Sequence, residues 1–109
     1  MKIARLPRGN AQFPKEKDPG DIVVLANGDI FTWCRGLWAM LGGRFLKPEV
    51  REWVLDYLKT GWPSPDDVRF DSGQMLELAG SDSEDRRWTE MVIGNLEKYS
   101  EALMTERIS

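Results

Sequence analysis

The sequence predicts an α+β fold: a small antiparallel sheet centred on a β-hairpin at residues 22–33, packed by two main helices at about 48–60 and 83–105. Three features predict it: an Asn-Gly pair between two apolar runs, an amphipathic repeat after a proline, and a second helical repeat near the C-terminus. With 109 residues, 41% of them hydrophobic and 30% charged, we expect residues 1–109 to form a single globular domain.

The N-terminal stretch is basic and rich in loop-forming residues. Residues 2–6 alternate and predict a first strand, whereas residues 7–20 hold three Pro and two Gly and predict a loop. Phe13 is expected to pin this loop to the body, and Pro19-Gly20 predicts a type II turn because Gly tolerates positive φ. Residues 1–20 carry five Lys/Arg against two Asp/Glu, a net +3.

The segment DIVVLANGDIFTW gives the strongest strand signal. Asn27-Gly28 between apolar runs predicts a type I′ turn with a two-residue loop, which places Val23 opposite Thr32. Both faces of such a hairpin are apolar. We therefore expect helices or a partner to cover it on both sides.

The run LWAML, residues 37–41, lies between glycines and is too short for periodicity to separate a helical turn from a third strand. A short helix or an irregular crossing is the favoured interpretation, and a third strand is the alternative. Only about half of a short apolar run can face one core, so Trp38 and Met40 are candidate partner contacts. Gly42-Gly43-Arg44 is interpreted as a turn leading to Phe45; the alternative is a backbone approach to a phosphate.

The first main helix follows from KPEVREWVLDYLKTG. Pro48 suits the first helical position, and apolar residues recur at helical spacing from Val50 to Leu58. Gly61 is expected to end the helix, with Trp62 folding back towards Tyr57.

Residues 63–84 form an acidic, turn-rich connection. Val68–Phe70 and Met75–Leu78 either pair as a minor hairpin, or the second is a helical turn. Ser83 is expected to cap the last helix, whose inward stripe is predicted to comprise Trp88, Met91 or Val92, Leu96, Tyr99 and Leu103.

Charge divides the chain into a basic start and an acidic end. Residues 61–109 hold eleven Asp/Glu against five Lys/Arg, a net −6, which argues against direct binding to nucleic acid. We predict a partner-binding surface on the acidic segment together with the 37–41 run, comprising Asp66, Asp67, Asp71, Asp82, Glu84, Asp85, Trp38 and Met40. The alternative for these carboxylates is a set of solvated turn and helix-cap residues.

Most familiar catalytic chemistry lacks its residues here. Histidine is absent, Cys34 is the only cysteine, and no phosphate-loop or nucleophile-elbow motif occurs. Asp66, Asp67 and Asp71 miss the spacing of a calcium loop. We therefore expect no enzymatic activity, no cofactor, no metal and no catalytic residues. Cys34 is interpreted as a buried small hydrophobe in a cytoplasmic protein without a membrane span.

Three function classes follow. The first is a non-enzymatic protein-binding module that acts by occlusion, with a partner that presents a Lys/Arg-rich nucleic-acid-binding groove. Small phage-type inhibitors of nucleic-acid-handling host machinery, anti-CRISPR proteins among them, share this acidic and aromatic profile. The second is a structural component that forms homo-oligomers through the hairpin. The third is a carboxylate-based metal-dependent enzyme or small-ligand binder.

Overall fold

The computed structural model of the chain describes residues 2–7, 12–60, 62–63 and 70–108. Within these ranges the chain forms four strands and three helices: β1 (Ile3–Leu6), β2 (Ile22–Leu25), β3 (Ile30–Cys34), β4 (Leu37–Gly42), α1 (Pro48–Lys59), α2 (Ser72–Ala79) and α3 (Ser83–Ile108). The α+β class is therefore confirmed, with a short third helix beside the two main ones.

The sheet is mixed, not purely antiparallel as the sequence predicted. Its strand order is β1-β2-β3-β4, and β1 runs parallel to β2. The chain between the two strands is long enough for a crossover, which parallel pairing requires. The buried Asp21 side chain holds the segment that leads into β2 against the start of β1. Its carboxylate accepts hydrogen bonds from the backbone N–H groups of Lys2 and Asp18, each at 2.9 Å. Gly20, with φ +94°, forms the predicted turn just before it.

The turn between β2 and β3 differs from the predicted type I′ turn. Val23 lies opposite Phe31, not Thr32, and the loop has three residues, 26–28. Gly28 donates to the Leu25 carbonyl at 2.9 Å and has φ +99°, whereas Asn27 does not adopt a positive φ. This is a turn closed by a glycine bulge. The one-residue shift exchanges the faces of the β3 side chains relative to β2.

Residues 37–42 form strand β4, so the favoured helix or irregular crossing is wrong and the strand alternative is correct. Arg35 and Gly36 both have positive φ, +54° and +80°, and Cys34 pairs with Leu37. These are the features of a two-residue type I′ hairpin loop, which folds the 37–41 run back onto β3.

Each face of the sheet has a different cover. The helices pack on the face that carries Ile22, Ile30 and Leu41. On the other face, the Phe13 ring contacts Phe31 and Trp38 at centroid distances of 5.5 and 5.4 Å. The N-terminal loop thus supplies the second cover, and Phe13 pins it as expected.

Helix α1 confirms its prediction closely. It begins at Pro48, and its buried side chains are Val50, Val54, Leu55, Tyr57 and Leu58. Trp62 lies in the same core as Tyr57 and is 1% exposed. Gly61, the expected end of the helix, lies outside the described residues.

The other two helices are capped by aspartates. Asp71 accepts a hydrogen bond from Gln74 N at 2.9 Å at the start of α2, so Met75–Leu78 is helical and its hairpin alternative is wrong. At α3 the capping side chain is Asp82, which accepts from two backbone N–H groups, and not Ser83 as predicted. Val68 lies outside the described residues. None of the helices in the described ranges is both long and apolar enough to cross a membrane.

Two fully buried threonines provide a matched stability test. Thr32 Oγ1 has no hydrogen-bond partner among the described residues, whereas Thr89 Oγ1 donates to the Asp85 carbonyl at 2.8 Å. We expect Thr32→Val to raise the free energy of unfolding by about 1 kcal/mol, because it removes an unsatisfied buried hydroxyl. Thr89→Val should give no such gain. Urea denaturation measures both, and an equal effect of the two substitutions would contradict the assignment.

Glycines 28 and 94 should respond to alanine in opposite directions. A Cβ at Gly94 meets no atom within 4 Å, so Gly94→Ala in α3 is expected to stabilise the fold by about 1 kcal/mol. Gly28→Ala should destabilise it by about 1–2 kcal/mol, because of its positive φ. Thermal melting compares them; a lower melting temperature for Gly94→Ala would show that the helix does not continue through this position.

Candidate functional site

The main candidate site is an apolar pocket where the end of β4, the turn after it and α3 meet. We define the apolar pocket by the side chains that form its walls: Met40, Phe45, Trp88, Met91 and Val92. Its volume is about 250 Å³. A cavity of this size accepts a side chain or a small ligand fragment more readily than a whole drug-sized ligand.

Exposed apolar side chains concentrate at this pocket. Across the described ranges four large hydrophobic residues are exposed, and three of them line it: Met40 at 48%, Phe45 at 57% and Met91 at 43%. The fourth, Leu37, lies at the other end of β4. Single exposed apolar residues are normal on a protein surface, but a contiguous cluster marks an interaction site.

Two glycines build the pocket. Gly42 and Gly43 have φ of +121° and +131°, and a Cβ on Gly43 would collide with the Gly28 carbonyl oxygen. The chain can therefore leave β4 sharply and lay Phe45 on Trp88, with ring centroids 4.7 Å apart and planes 25° apart. The Gly42-Gly43-Arg44 tripeptide is thus the turn leading to Phe45.

The rim of the pocket is polar. Arg44 Nη2 lies 2.9 Å from Oδ2 of buried Asp29, so the charges of this pair compensate each other. The Arg87 guanidinium lies over the Trp88 ring, 5.2 Å from its centroid. An apolar floor within a polar rim is the usual anatomy of a protein interface.

The two candidate residues from the 37–41 run, Trp38 and Met40, have different surroundings in the structure. Met40 lines the apolar pocket. Trp38 is half-buried and packs edge-on against Trp33, at a centroid distance of 5.4 Å, and against Phe13. Trp38 therefore has structural neighbours, and Met40 has an exposed side chain.

The acidic candidate residues also differ in their surroundings. Asp66 and Asp67 lie outside the described residues. Asp71 and Asp82 cap α2 and α3 as set out above, so their carboxylates already accept backbone hydrogen bonds. Glu84 and Asp85 occupy the first turn of α3, with Glu84 exposed and Asp85 half-buried.

The acidic candidate nearest the apolar pocket in sequence is the half-buried Asp85, three residues before Trp88; the exposed one is Glu84. Glu84 precedes Trp88 by four residues on α3, and residues at this spacing share one helix face. The apolar pocket therefore has a carboxylate one helical turn away from its aromatic wall.

Sequence reasoning missed Phe45, Trp88 and Met91 as site residues. Phe45 was only the end of a turn, and the other two were placed in the inward stripe of the last helix. The sequence holds one signal for Met91. Adjacent residues on a helix point about 100° apart, so Met91 and Val92 cannot both face the core. In the structure Val92 is fully buried and Met91 is exposed.

Cys34 is a free, buried cysteine, 2% exposed. Burial raises the pKa of its thiol, the Glu106 carboxylate raises it further and the Arg35 guanidinium opposes both. The thiol is therefore protonated at neutral pH, which is the opposite of what a nucleophilic cysteine needs. In the part of the chain that the structure describes, no group of three or more His, Cys, Asp or Glu side chains could hold a metal ion.

Comparisons of the chain with protein-family models, curated proteins and solved structures give no match.

The thiol of Cys34 supplies a test of this local packing. At pH 8 we expect a disulfide reagent such as DTNB to label the native protein slowly and the urea-unfolded protein rapidly, because the thiol is buried and its pKa is raised. Because the thiol pKa is higher in the folded protein, the thiol of the unfolded chain ionises first as the pH rises. The free energy of unfolding is therefore unaffected by this thiol at neutral pH and falls once the pH exceeds the thiol pKa of the unfolded chain. Cys34→Ala should remove that alkaline loss. Rapid native labelling at neutral pH would contradict the buried environment.

Proposed function

We propose that this protein is a non-enzymatic binding module that docks on a partner protein through the apolar pocket and acts by occlusion. The observation that carries the proposal is the clustering of exposed Met40, Phe45 and Met91 around Trp88. Aromatic residues and Met are enriched at interfaces, and a few such residues supply most of the binding free energy.

The proposed occupant is an apolar side chain of the partner that is flanked by Lys or Arg. Two observations support this chemistry. Glu84 is exposed on the helix face that carries Trp88, and Asp82 adds a second exposed carboxylate at the start of α3. Arg44, which lines the pocket, is already paired with Asp29. A negative flank beside an apolar anchor fits a basic surface, of the kind that nucleic-acid-handling proteins offer to phosphates.

The role proposed on this basis is that of a small inhibitor that covers a nucleic-acid-binding groove, as phage-type proteins of the anti-CRISPR kind do. The chain's net charge of −3 and its concentration of carboxylates after residue 60 support such a target. Free Cys34 supports a reducing, cytoplasmic setting.

Self-association is the second candidate. Leu37 and Met40 are exposed on β4, which is an edge strand of the sheet. Both strands of the β2–β3 hairpin are already paired on their outer sides, so a homo-oligomer would pair through an edge strand, β1 or β4. Of these two edges, β4 is the one that carries the exposed Leu37 and Met40. Light scattering over a range of concentrations distinguishes this candidate: a dimer that Leu37→Lys dissociates would favour it over the binding-module proposal.

The binding-module proposal is tested with paired variants of the full chain. A partner captured by the wild-type protein is purified, and its affinity is measured for Phe45→Ala and for Leu37→Ala, an exposed apolar control outside the apolar pocket. We expect Phe45→Ala to weaken binding by about 2 kcal/mol, roughly 30-fold, and Leu37→Ala to leave it unchanged. The wild-type protein should also displace a labelled oligonucleotide from the partner.

Charge variants test the chemistry of the partner separately. Glu84→Gln should weaken binding and Arg87→Gln should strengthen it, with both effects reduced at high salt. The opposite signs would indicate an acidic partner. Equal affinities of Phe45→Ala and wild type would overturn the role of the apolar pocket, and a ternary complex with the oligonucleotide would overturn occlusion.

A further inference from the structure

A second cleft lies beside the turn between β2 and β3, where the C-terminal ends of β1 and β2 face α1. Its volume is about 520 Å³. The residues that matter for its chemistry are Arg5, Leu25, Gly28, Arg51, Glu52 and Leu55. The cleft lies at the carboxyl ends of β1 and β2, the parallel pair of this sheet.

The Arg51 guanidinium is held against the backbone of the turn. Its Nη1 atom lies 2.6 Å from the position that a Cβ on Gly28 would occupy. A side chain at this position would force the guanidinium to move. Arg51 is half-buried, so its side chain is positioned by packing on the turn.

Arg5 and Arg51 lack a bonded charge partner in the part of the chain that the structure describes. Neither side chain makes an ion pair or a hydrogen bond to any residue within the described ranges. Other cations nearby differ: Arg44 pairs with Asp29 at 2.9 Å, and Lys47 pairs with Glu49 at 3.6 Å. Two guanidinium groups in one cleft, neither bonded to a described residue, provide the planar donor groups that suit carboxylates and phosphates.

We propose that this cleft binds an oxyanion, the carboxylate or phosphate group of a small ligand, between Arg5 and Arg51. Leu25 and Leu55 provide an apolar wall for the rest of the ligand. The Glu52 carboxylate also lines the cleft and opposes a highly charged ligand. This site is separate from the apolar pocket and does not rest on the proposed protein-binding function.

The test is an NMR titration of the full chain with inorganic phosphate, and in a second arm with citrate, at constant ionic strength set with chloride. We expect saturable shifts of the Arg51 and Arg5 Nε–H signals. Arg51→Gln should weaken binding by at least about tenfold, because charge-assisted hydrogen bonds are lost. Arg87→Gln, with the same change of charge outside the cleft, should leave it unchanged, and Glu52→Gln should strengthen it. The tighter arm identifies a phosphate or a carboxylate ligand.

Two results would overturn the proposal. One is a set of linear, non-saturating shifts spread over all exposed cations, which marks a diffuse ion atmosphere. The other is an equal loss of affinity in Arg51→Gln and Arg87→Gln. If circular dichroism shows that Arg51→Gln does not fold, Arg5→Gln and Arg51→Lys replace it in the comparison with Arg87→Gln. Unchanged phosphate affinity in both of these variants would likewise overturn the proposal.

Discussion

The close contact between the backbones at Gly28 and Gly43 is the constraint on which the rest of the structure depends. A side chain at Gly43 would occupy the space of the Gly28 carbonyl oxygen, so the two turns can approach this closely only with a glycine at position 43. Both have positive φ, which other residues adopt at a cost of about 1–2 kcal/mol. The two clefts flank this contact: the apolar pocket lies on the Gly43 side, and the Arg5/Arg51 cleft lies on the Gly28 side.

The sheet also depends on how its second face is covered. Phe31, Trp33 and Trp38 form an aromatic layer on the face away from the helices, and residues 12–20 lie across it. The Asp21 carboxylate ties the start of β1 to the end of this segment. A buried carboxylate that accepts two backbone N–H groups replaces the hydrogen bonds that a tighter turn would have made.

The carboxylates of the C-terminal half serve two purposes. Asp71 and Asp82 satisfy the free N–H groups at helix starts, where negative charge also complements the helix dipole. Glu84, in the first turn of α3, caps no N–H group among the described residues and is exposed one helical turn before Trp88. A dense acidic segment is therefore not one uniform patch, since capping uses some of its members locally.

The sequence by itself determined the elements whose signals are local. Helices α1 and α3 followed from apolar spacing and from Pro48, and Phe13 and Gly20 took their expected roles because aromatic burial and positive φ are properties of single residues. Of the two candidate residues in the 37–41 run, Trp38 and Met40, Met40 is the one that lies at the apolar pocket.

Only the tertiary structure decided the rest. The register of β2 on β3 depended on whether the loop had two or three residues. One additional loop residue, accommodated by the glycine bulge, shifts every cross-strand pair. Strand β4 needed β3 as its partner, because five apolar residues have no period that separates strand from helix. The apolar pocket joins Met40, Phe45 and Trp88 from three separate segments. No local pattern encodes their approach, which follows from the packing of α3 against the end of β4.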